Sequence, residues 1–419
     1  MERKKQLIPE FGPFAGMRVL SAGSLVAMPF AAQMLAEFGA EVIHIERPGI
    51  GDTFRVLPPY STQAKQLTGN CWGQDGRNRL SLTLDLNMNK PGVKEVFLEL
   101  VKQSDVFMEN LVWLDKLGIK DEELLEANPK LVIAHVSGYG RPAFGGDSAI
   151  CDRASYDLCG QAFSGYLYLN GDPKADAPSI TKPYMNDYVS GLFCLFGVLA
   201  AYFSAQKTGV GQVVDVAQFE AQARLMCDSF FTYSQNGTIP ERSGNNSKTF
   251  QPFGLYKDKN GADVAIGAFG EAVYKRFMKA ANLDVEYFTH KECSEGREAM
   301  ESPKGRELDA AIKAWCASMS AEEIELACAA QKVPAAKVNT VKDCYENKHF
   351  NDRNDFVTYK DETDGREIKA FGIVPKLSGT PGKIWRGLPK LGQDTEVILK
   401  EIAGCTDAQI EAMKANKVI

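Results

Sequence analysis

Along the first third of the chain, short apolar runs alternate with longer stretches whose apolar residues fall three and four apart. Residues 17–22 (MRVLSA) and 41–46 (EVIHIE) are short runs that predict strands. Between them, 29–38 (PFAAQMLAEF) has helical spacing, with Pro29 suited to a first turn and Gly39 to the helix end. A right-handed crossover of this kind makes the two strands parallel. The rhythm then repeats as strand 80–84, helix 90–102, strand 106–109, helix 120–127 and strand 131–136. Such alternation predicts an α/β architecture, a Rossmann-like doubly wound domain with helices on both sheet faces.

Past Gly140 the rhythm changes. Residues 156–163 and 187–206 predict helices joined by a polar, Pro-containing stretch, followed by strand 213–216 and helix 218–229. The Gly/Asn/Ser-rich segment 236–250 (NGTIPERSGNNSKTF) predicts a linker. Residues 255–268 predict a hairpin around Lys259-Asn260-Gly261, then helices at 271–281, 307–318 and 321–331. The last 75 residues return to short strands and a polar helix. The expected organisation is a large domain begun by 1–235, a smaller α+β domain over 236–335, and a return to the large domain over 336–419.

Composition narrows the function classes. A net charge of −6 argues against nucleic-acid or anionic-membrane binding, which need a basic field. An anionic ligand would need individual Arg and Lys residues working against that charge. The ten cysteines are scattered, with no C-x-x-C pair, so neither a metal site nor a disulfide framework is expected. Reduced thiols and an opening stretch (MERKKQLIPEFGPF) without an apolar core lead us to expect a cytoplasmic protein. The longest apolar stretch, 191–203, is short for a bilayer span and predicts a buried helix.

Few residues offer chemistry. The turn after the first strand, Ala22-Gly23-Ser24-Leu25-Val26-Ala27-Met28-Pro29, holds one glycine where a dinucleotide site wants G-x-G-x-x-G. It reads as a tight β–α turn before a phosphate cradle. His44 and His135 fall in predicted strands and are expected to be packed, neutral imidazoles. No G-x-S-x-G elbow occurs, which disfavours a serine hydrolase. Asp187, in PYMNDYVSG, stands where a polar loop meets an apolar helix. It reads first as a helix N-cap. The same setting would keep a carboxylate ionised as a nucleophile, and periodicity leaves both readings open.

Seven stretches together resemble the class III CoA-transferase family, most closely its carnitine and bile-acid branch. They are FGPFAGMRVL (11–20), PFAAQMLAEFGAEVIHIE (29–46), NPKLVIAHVSGYG (128–140), DRASYDLCGQAFSGYLYLNG (152–171), NDYVSGL (186–192), VDVAQFEAQAR (214–224) and IWRGLPKLGQDTEVILKEI (384–402). The resemblance spans nearly the whole chain. It implies that Asp187 is the nucleophile, carrying CoA as an aspartyl thioester between an acyl-CoA donor and a carboxylic acid acceptor. It further implies CoA contacts at Arg47, Arg79, Asn110, Lys116, Gly138 and Tyr139. Taken alone, these residues would read as solvated charges and a β-turn. The implied assembly is an interlocked homodimer, the substrates CoA thioesters and carboxylic acids, with no permanently bound cofactor.

Three features depart from the family pattern. The segment Glu109-Asn110-Leu111-Val112-Trp113-Leu114-Asp115-Lys116 is short, and Lys116 stands where Arg is usual, without its bidentate fork. The stretch Ile266-Gly267-Ala268-Phe269-Gly270 lacks the glycine run of a mobile lid. Tyr156 stands where the family's racemases carry a histidine, which disfavours racemisation. The alternatives to CoA transfer are an acyl-CoA racemase or epimerase of the same fold and a non-catalytic CoA-binding protein.

Overall fold

The computed structural model describes residues 3–111 and 114–419. Val112 and Trp113, inside the short 109–116 segment, and the first two residues lie outside them. The chain divides into two compact units. The first comprises 1–166, 181–227 and 351–419; the second comprises 167–180 and 228–350.

The first unit is built on six strands. They are β1 (Arg18–Ala22), β2 (Glu41–Glu46), β3 (Arg79–Thr83), β4 (Val106–Glu109), β5 (Val132–Ser137) and β6 (Gln212–Ala217). All pair in parallel, in the order β3-β2-β1-β4-β5-β6. This is the doubly wound order, with its switch point between β1 and β4. Because both faces are covered, β1 to β5 are buried nearly along their length rather than alternating with water, while the edge strand β6 is only part-buried. One face carries Leu20, Ile43, Leu80, Leu82, Phe107 and Ile133, and packs on α3 (Val93–Lys102) and α5 (Asp121–Ala127). Ile398, Leu399, Ile410 and Met413 of the last two helices join that layer. The other face carries Val19, Val42, Val106, Met108, Val132 and Ala134. It packs on α1 (Ala27–Glu37) and on α8 (Met185–Thr208).

Shorter helices fill the connections: α2 (Asn70–Asp75), α4 (Leu114–Leu117), α6 (Ser148–Cys151), α7 (Asp157–Phe163) and α9 (Gln218–Ala223). Periodicity predicts one helix over 218–229. A turn at residues 224–228 instead breaks the run, and a separate helix occupies Ser229–Asn236. The apolar stretch 191–203 is the centre of a longer element. At 24 residues α8 is long and apolar enough, by length and composition, to cross a membrane. Its inner side (Val189, Cys194, Val198, Ala201, Ala205) is buried against the sheet and α1, while Leu192, Phe196 and Phe203 are exposed.

The second unit carries a three-stranded antiparallel sheet. Phe253–Lys257 pairs with Asp263–Gly267, which pairs with Ala335–Lys337. The turn between the first two strands is held by Asp258, whose carboxylate accepts from the backbone of Asn260 and Ala262. Helices Glu271–Ala280, Pro303–Ala317 and Ala321–Ala330 pack around it on Tyr274, Phe277, Leu308, Ile312 and Ile324. All ten cysteines are free thiols.

Candidate active site

The candidate site collects at the C-terminal ends of the parallel strands, where doubly wound sheets bind ligands. Asp187 lies in the first turn of α8, two residues after Met185. It is therefore no N-cap. That position belongs to Tyr184, at φ +38° and with no capping hydrogen bond of its own. The cap comes from another helix: Oδ1 of Asp157, at the start of α7, accepts from the backbone N–H of Asn186 (2.7 Å) and of Asp187 (3.2 Å). Gln161, one turn along α7, donates to the other oxygen of Asp157 at 2.6 Å. The two helices approach closely because residue 160 is a glycine; a Cβ there would lie 1.9 Å from Nδ2 of Asn186.

The carboxylate of Asp187 is itself held on one side. Nε2 of Gln218, the first residue of α9, donates to Oδ1 at 2.5 Å. Burial and then the negative charge of Asp157 push the Asp187 carboxyl up to about 7, against the opposing effect of the Gln218 hydrogen bond. Sequence position predicts an ionised carboxylate favoured by the helix terminus. Desolvation and a like charge outweigh that, and the group sits near its own midpoint at neutral pH.

Gly138 and Tyr139 follow β5. Gly138 lies against Ser155, where a Cβ would come within 2.1 Å of the serine's own. The Tyr139 ring packs edge-on to Phe163 of α7 (centroids 5.0 Å), and Phe163 packs edge-on to Phe219 of α9 (5.1 Å). This aromatic chain fixes the β5 turn to the helices that carry Asp157 and Gln218. Beneath it, His135 is clamped between Glu109 and Asp121, with Arg141 3.7 Å from each carboxylate. Burial works against an imidazolium, but hydrogen bonds to Asp121 and Glu109 prevail and raise the His135 pKa. His135 is buried as expected, and its two carboxylate partners favour the charged form more than burial disfavours it. His44 is buried too, with Nε2 3.2 Å from Asp52.

Asn110 follows β4 and reaches across the switch point to the β1 turn. Its Oδ1 accepts from the Ser24 N–H (2.8 Å), and its Nδ2 donates to the Ser24 carbonyl (2.8 Å). The next amide, Leu25 N–H, donates to Asp52 at 3.0 Å. Two amides that could have met a phosphate are thus spoken for by side chains, as suits a tight β–α turn.

The basic residues divide. Arg47 after β2 and Lys116 in α4 are exposed. Arg79, at the start of β3, has no exposed surface. It donates to the carbonyl of Pro29 (2.7 Å) and, more closely, to that of Asp75, and it lies over the Trp72 ring. Burial, with Nε and Nη1 left without a hydrogen-bond partner among the described residues, separates this guanidinium from solvent. The structure thus brings Asp187, Gly138 and Tyr139 together through α7 and α9, and it buries Arg79. Asp157 and Gln218 are site residues that the sequence does not single out. Position alone offers a signal for Gln218, a polar residue directly after a strand in a parallel sheet.

A six-stranded parallel sheet with a constrained carboxylate and paired aromatic turns at its C-terminal edge defines a doubly wound α/β protein built for ligand chemistry. Residues 14–395 match the family described as CoA-transferase family III, and the chain belongs to it. Among its relatives, the bile acid CoA-transferase BaiK of Clostridium scindens is 36% identical over 407 residues, covering 96% of this chain and 88% of that one. The succinyl-CoA–L-malate CoA-transferase beta subunit of Chloroflexus aurantiacus is 33% identical over 97% of this chain and 98% of its own. In fold, a CAIB/BAIF family protein from Brucella suis matches with TM-score 0.79 at 23% identity, covering 94% of this chain and all of that one. Rv3272 from Mycobacterium tuberculosis matches with TM-score 0.77 at 23% identity, covering 93% of this chain and 99% of its own. The protein is an enzyme, a CoA-transferase acting on CoA thioesters.

Proposed function

We propose that this enzyme moves CoA from an acyl-CoA to a free carboxylic acid through a thioester on Asp187. An Asp187 oxygen attacks the acyl carbonyl, a mixed anhydride forms and CoA leaves as thiolate. The thiolate attacks Cγ of Asp187 and expels the donor carboxylate, leaving aspartyl-CoA. The acceptor carboxylate repeats the exchange in reverse and departs as its CoA thioester. Covalent capture divides one difficult exchange into easier ones. The observation that carries this reading is the Asp187 carboxylate, fastened at Oδ1 and raised in basicity by burial beside Asp157. A carboxylate with a higher pKa is a stronger nucleophile once ionised.

The names of the relatives suggest a bile-acid or 2-hydroxy acid acceptor, and the sequence resemblance adds a carnitine-like one. For CoA itself, Arg47 and Lys116 are the exposed cations proposed to meet the phosphates, with Gly138 and Tyr139 beside the thioester and Asn110 holding the β1 turn. We infer a cytoplasmic homodimer, in which exposed Leu192, Phe196 and Phe203 of α8 are covered by the second copy. Trapping tests the chemistry. Hydroxylamine added to enzyme and acyl-CoA should convert Asp187 to a hydroxamate, mapped in the peptide 183–207. Transfer at full rate with an unmodified peptide would rule the covalent route out.

A further inference from the structure

The tetrahedral adducts at Cγ of Asp187 place a full negative charge on one of its oxygens, and in a buried site that charge needs a donor. The backbone amides of the first turn of α8 would ordinarily serve. Here the N–H groups of Asn186 and Asp187 are already given to Asp157. The neighbouring Asn186 side chain is fully buried against Gly160 of α7, with neither its Nδ2 nor its Oδ1 hydrogen-bonded, among the described residues, to the Asp187 carboxylate or to any other group. Gln218 remains. Its Nε2 lies 2.5 Å from Oδ1, its residue is 7% exposed, and its backbone is fixed at the junction of β6 and α9. Among the described residues the hydrogen bond to the Asp187 carboxylate falls on Oδ1, which leaves Oδ2 to attack and Oδ1 to stay held.

We propose that the side-chain amide of Gln218 is the oxyanion donor of the transfer reaction, keeping its Nε2–H on Oδ1 while CoA is added to and removed from Cγ. The proposal rests on Asp187 being the nucleophile. In the mixed anhydride, Cγ is bonded to Oδ1 as a carbonyl and to Oδ2, which bridges to the donor acyl carbon. Attack by the CoA thiolate forms the S–Cγ bond and moves the carbonyl electron pair onto Oδ1. Collapse returns that pair, breaks the Cγ–Oδ2 bond and releases the donor acid with Oδ2. When the acceptor carboxylate attacks the thioester, Oδ1 again takes the charge and CoA thiolate is expelled. One oxygen therefore bears the charge in both half-reactions, and a single fixed donor serves both. A neutral amide suits this role, because it offers an N–H without adding a charge that would favour the resting carboxylate over the adduct.

Gln218→Met keeps the length and loses the donor; Gln218→Glu keeps the shape and replaces the donor with an acceptor. Both are assayed as full-length enzyme, by the rate at which acyl-CoA forms aspartyl-CoA and the rate at which hydroxylamine breaks it down. Loss of one oxyanion donor slows such steps by about 10²- to 10³-fold, with KM for acyl-CoA little changed. The second readout is the infrared carbonyl band of the aspartyl thioester in enzyme with ¹³C-labelled aspartate. It should lie lower in wild type than in a simple aspartyl thioester in aprotic solvent, and should rise in either variant. Variants that react at wild-type rates overturn the proposal. So do slow variants with an unmoved band, since that pattern marks a structural role. If neither variant folds, a wild-type band at the frequency of the aprotic reference compound overturns it alone. Failure of the underlying reading shows separately, as wild-type enzyme that turns over without any hydroxylamine mark on Asp187.

Discussion

Replacing Asp187 with Asn probes the strain at the proposed nucleophile without any substrate. The carboxyl titrates near 3.8 in an unfolded chain and near 7 in the fold. The folded state thus binds this proton more tightly than the unfolded chain does. Stability from the bound proton is fully present below the unfolded value and is lost as pH rises through the folded one. At about 1.4 kcal/mol for each tenfold in proton affinity, the rise sets an upper bound of about 4 kcal/mol. Losing a favourable charge in the first turn of α8 subtracts about 0.3–1 kcal/mol, and partial exposure screens the remainder. Asparagine keeps the shape and can still accept from Gln218. Asp187→Asn should therefore match wild type near pH 4 and exceed it by about 2 kcal/mol at pH 8, with the gap opening in between. Urea unfolding at a series of pH values, at one protein concentration, measures this. Equal stability of the two proteins at pH 8 would refute the argument that burial and Asp157 strain the carboxylate.

The same variant should turn over acids at least about 10⁴-fold more slowly, as expected for loss of a nucleophile, in a steady-state transfer assay. The acid limb of kcat/KM for acyl-CoA should lie near pH 7, with activity rising as Asp187 ionises. Asp157→Asn, which can still cap α8, should move that limb down by about one pH unit by removing the like charge. Arg47→Ala and Lys116→Ala should each raise KM for acyl-CoA by about 5- to 30-fold with smaller effects on kcat. Arg79→Ala should instead lower the melting temperature, because it leaves the Pro29 and Asp75 carbonyls without their donor.

Much of the first unit is legible in the sequence because its strands are buried on both faces. A run such as VIA at 132–134 has no reason to be apolar on both faces unless helices cover it on both sides, and the intervening helices announce themselves by spacing. The 218–229 segment misleads for the complementary reason. Its apolar residues keep helical spacing through the turn at 224–228, and nothing in the spacing marks where α9 stops. Asp187 stands out in the sequence, yet its setting does not. An Asp near a helix start looks like a cap, and only the fold reveals that a second Asp, thirty residues earlier, already caps that helix. The burial of Arg79 is equally hidden, because it depends on the backbone carbonyls of Pro29 in α1 and Asp75 in α2, which no side-chain pattern marks. Gln218 carries only the faint signal of its place directly after a strand; its meaning comes from the carboxylate that stands opposite.

Asn110 bears on how this fold could change its trade. In a dinucleotide-binding turn, glycines clear a space at the switch point and a pyrophosphate fills it. In this protein the space has a resident: the Asn110 amide gives one hydrogen bond to the Ser24 peptide unit and takes one from it, as a neighbouring strand would. Aspartate there could accept but not donate, and would leave the Ser24 carbonyl orphaned at a cost of about 1–3 kcal/mol. Introducing glycines at positions 25 and 28 would supply the letters of the nicotinamide fingerprint while the seat stayed taken. An engineer seeking a new nucleotide specificity would have to evict Asn110 first, and would then need to find the β1 turn another support.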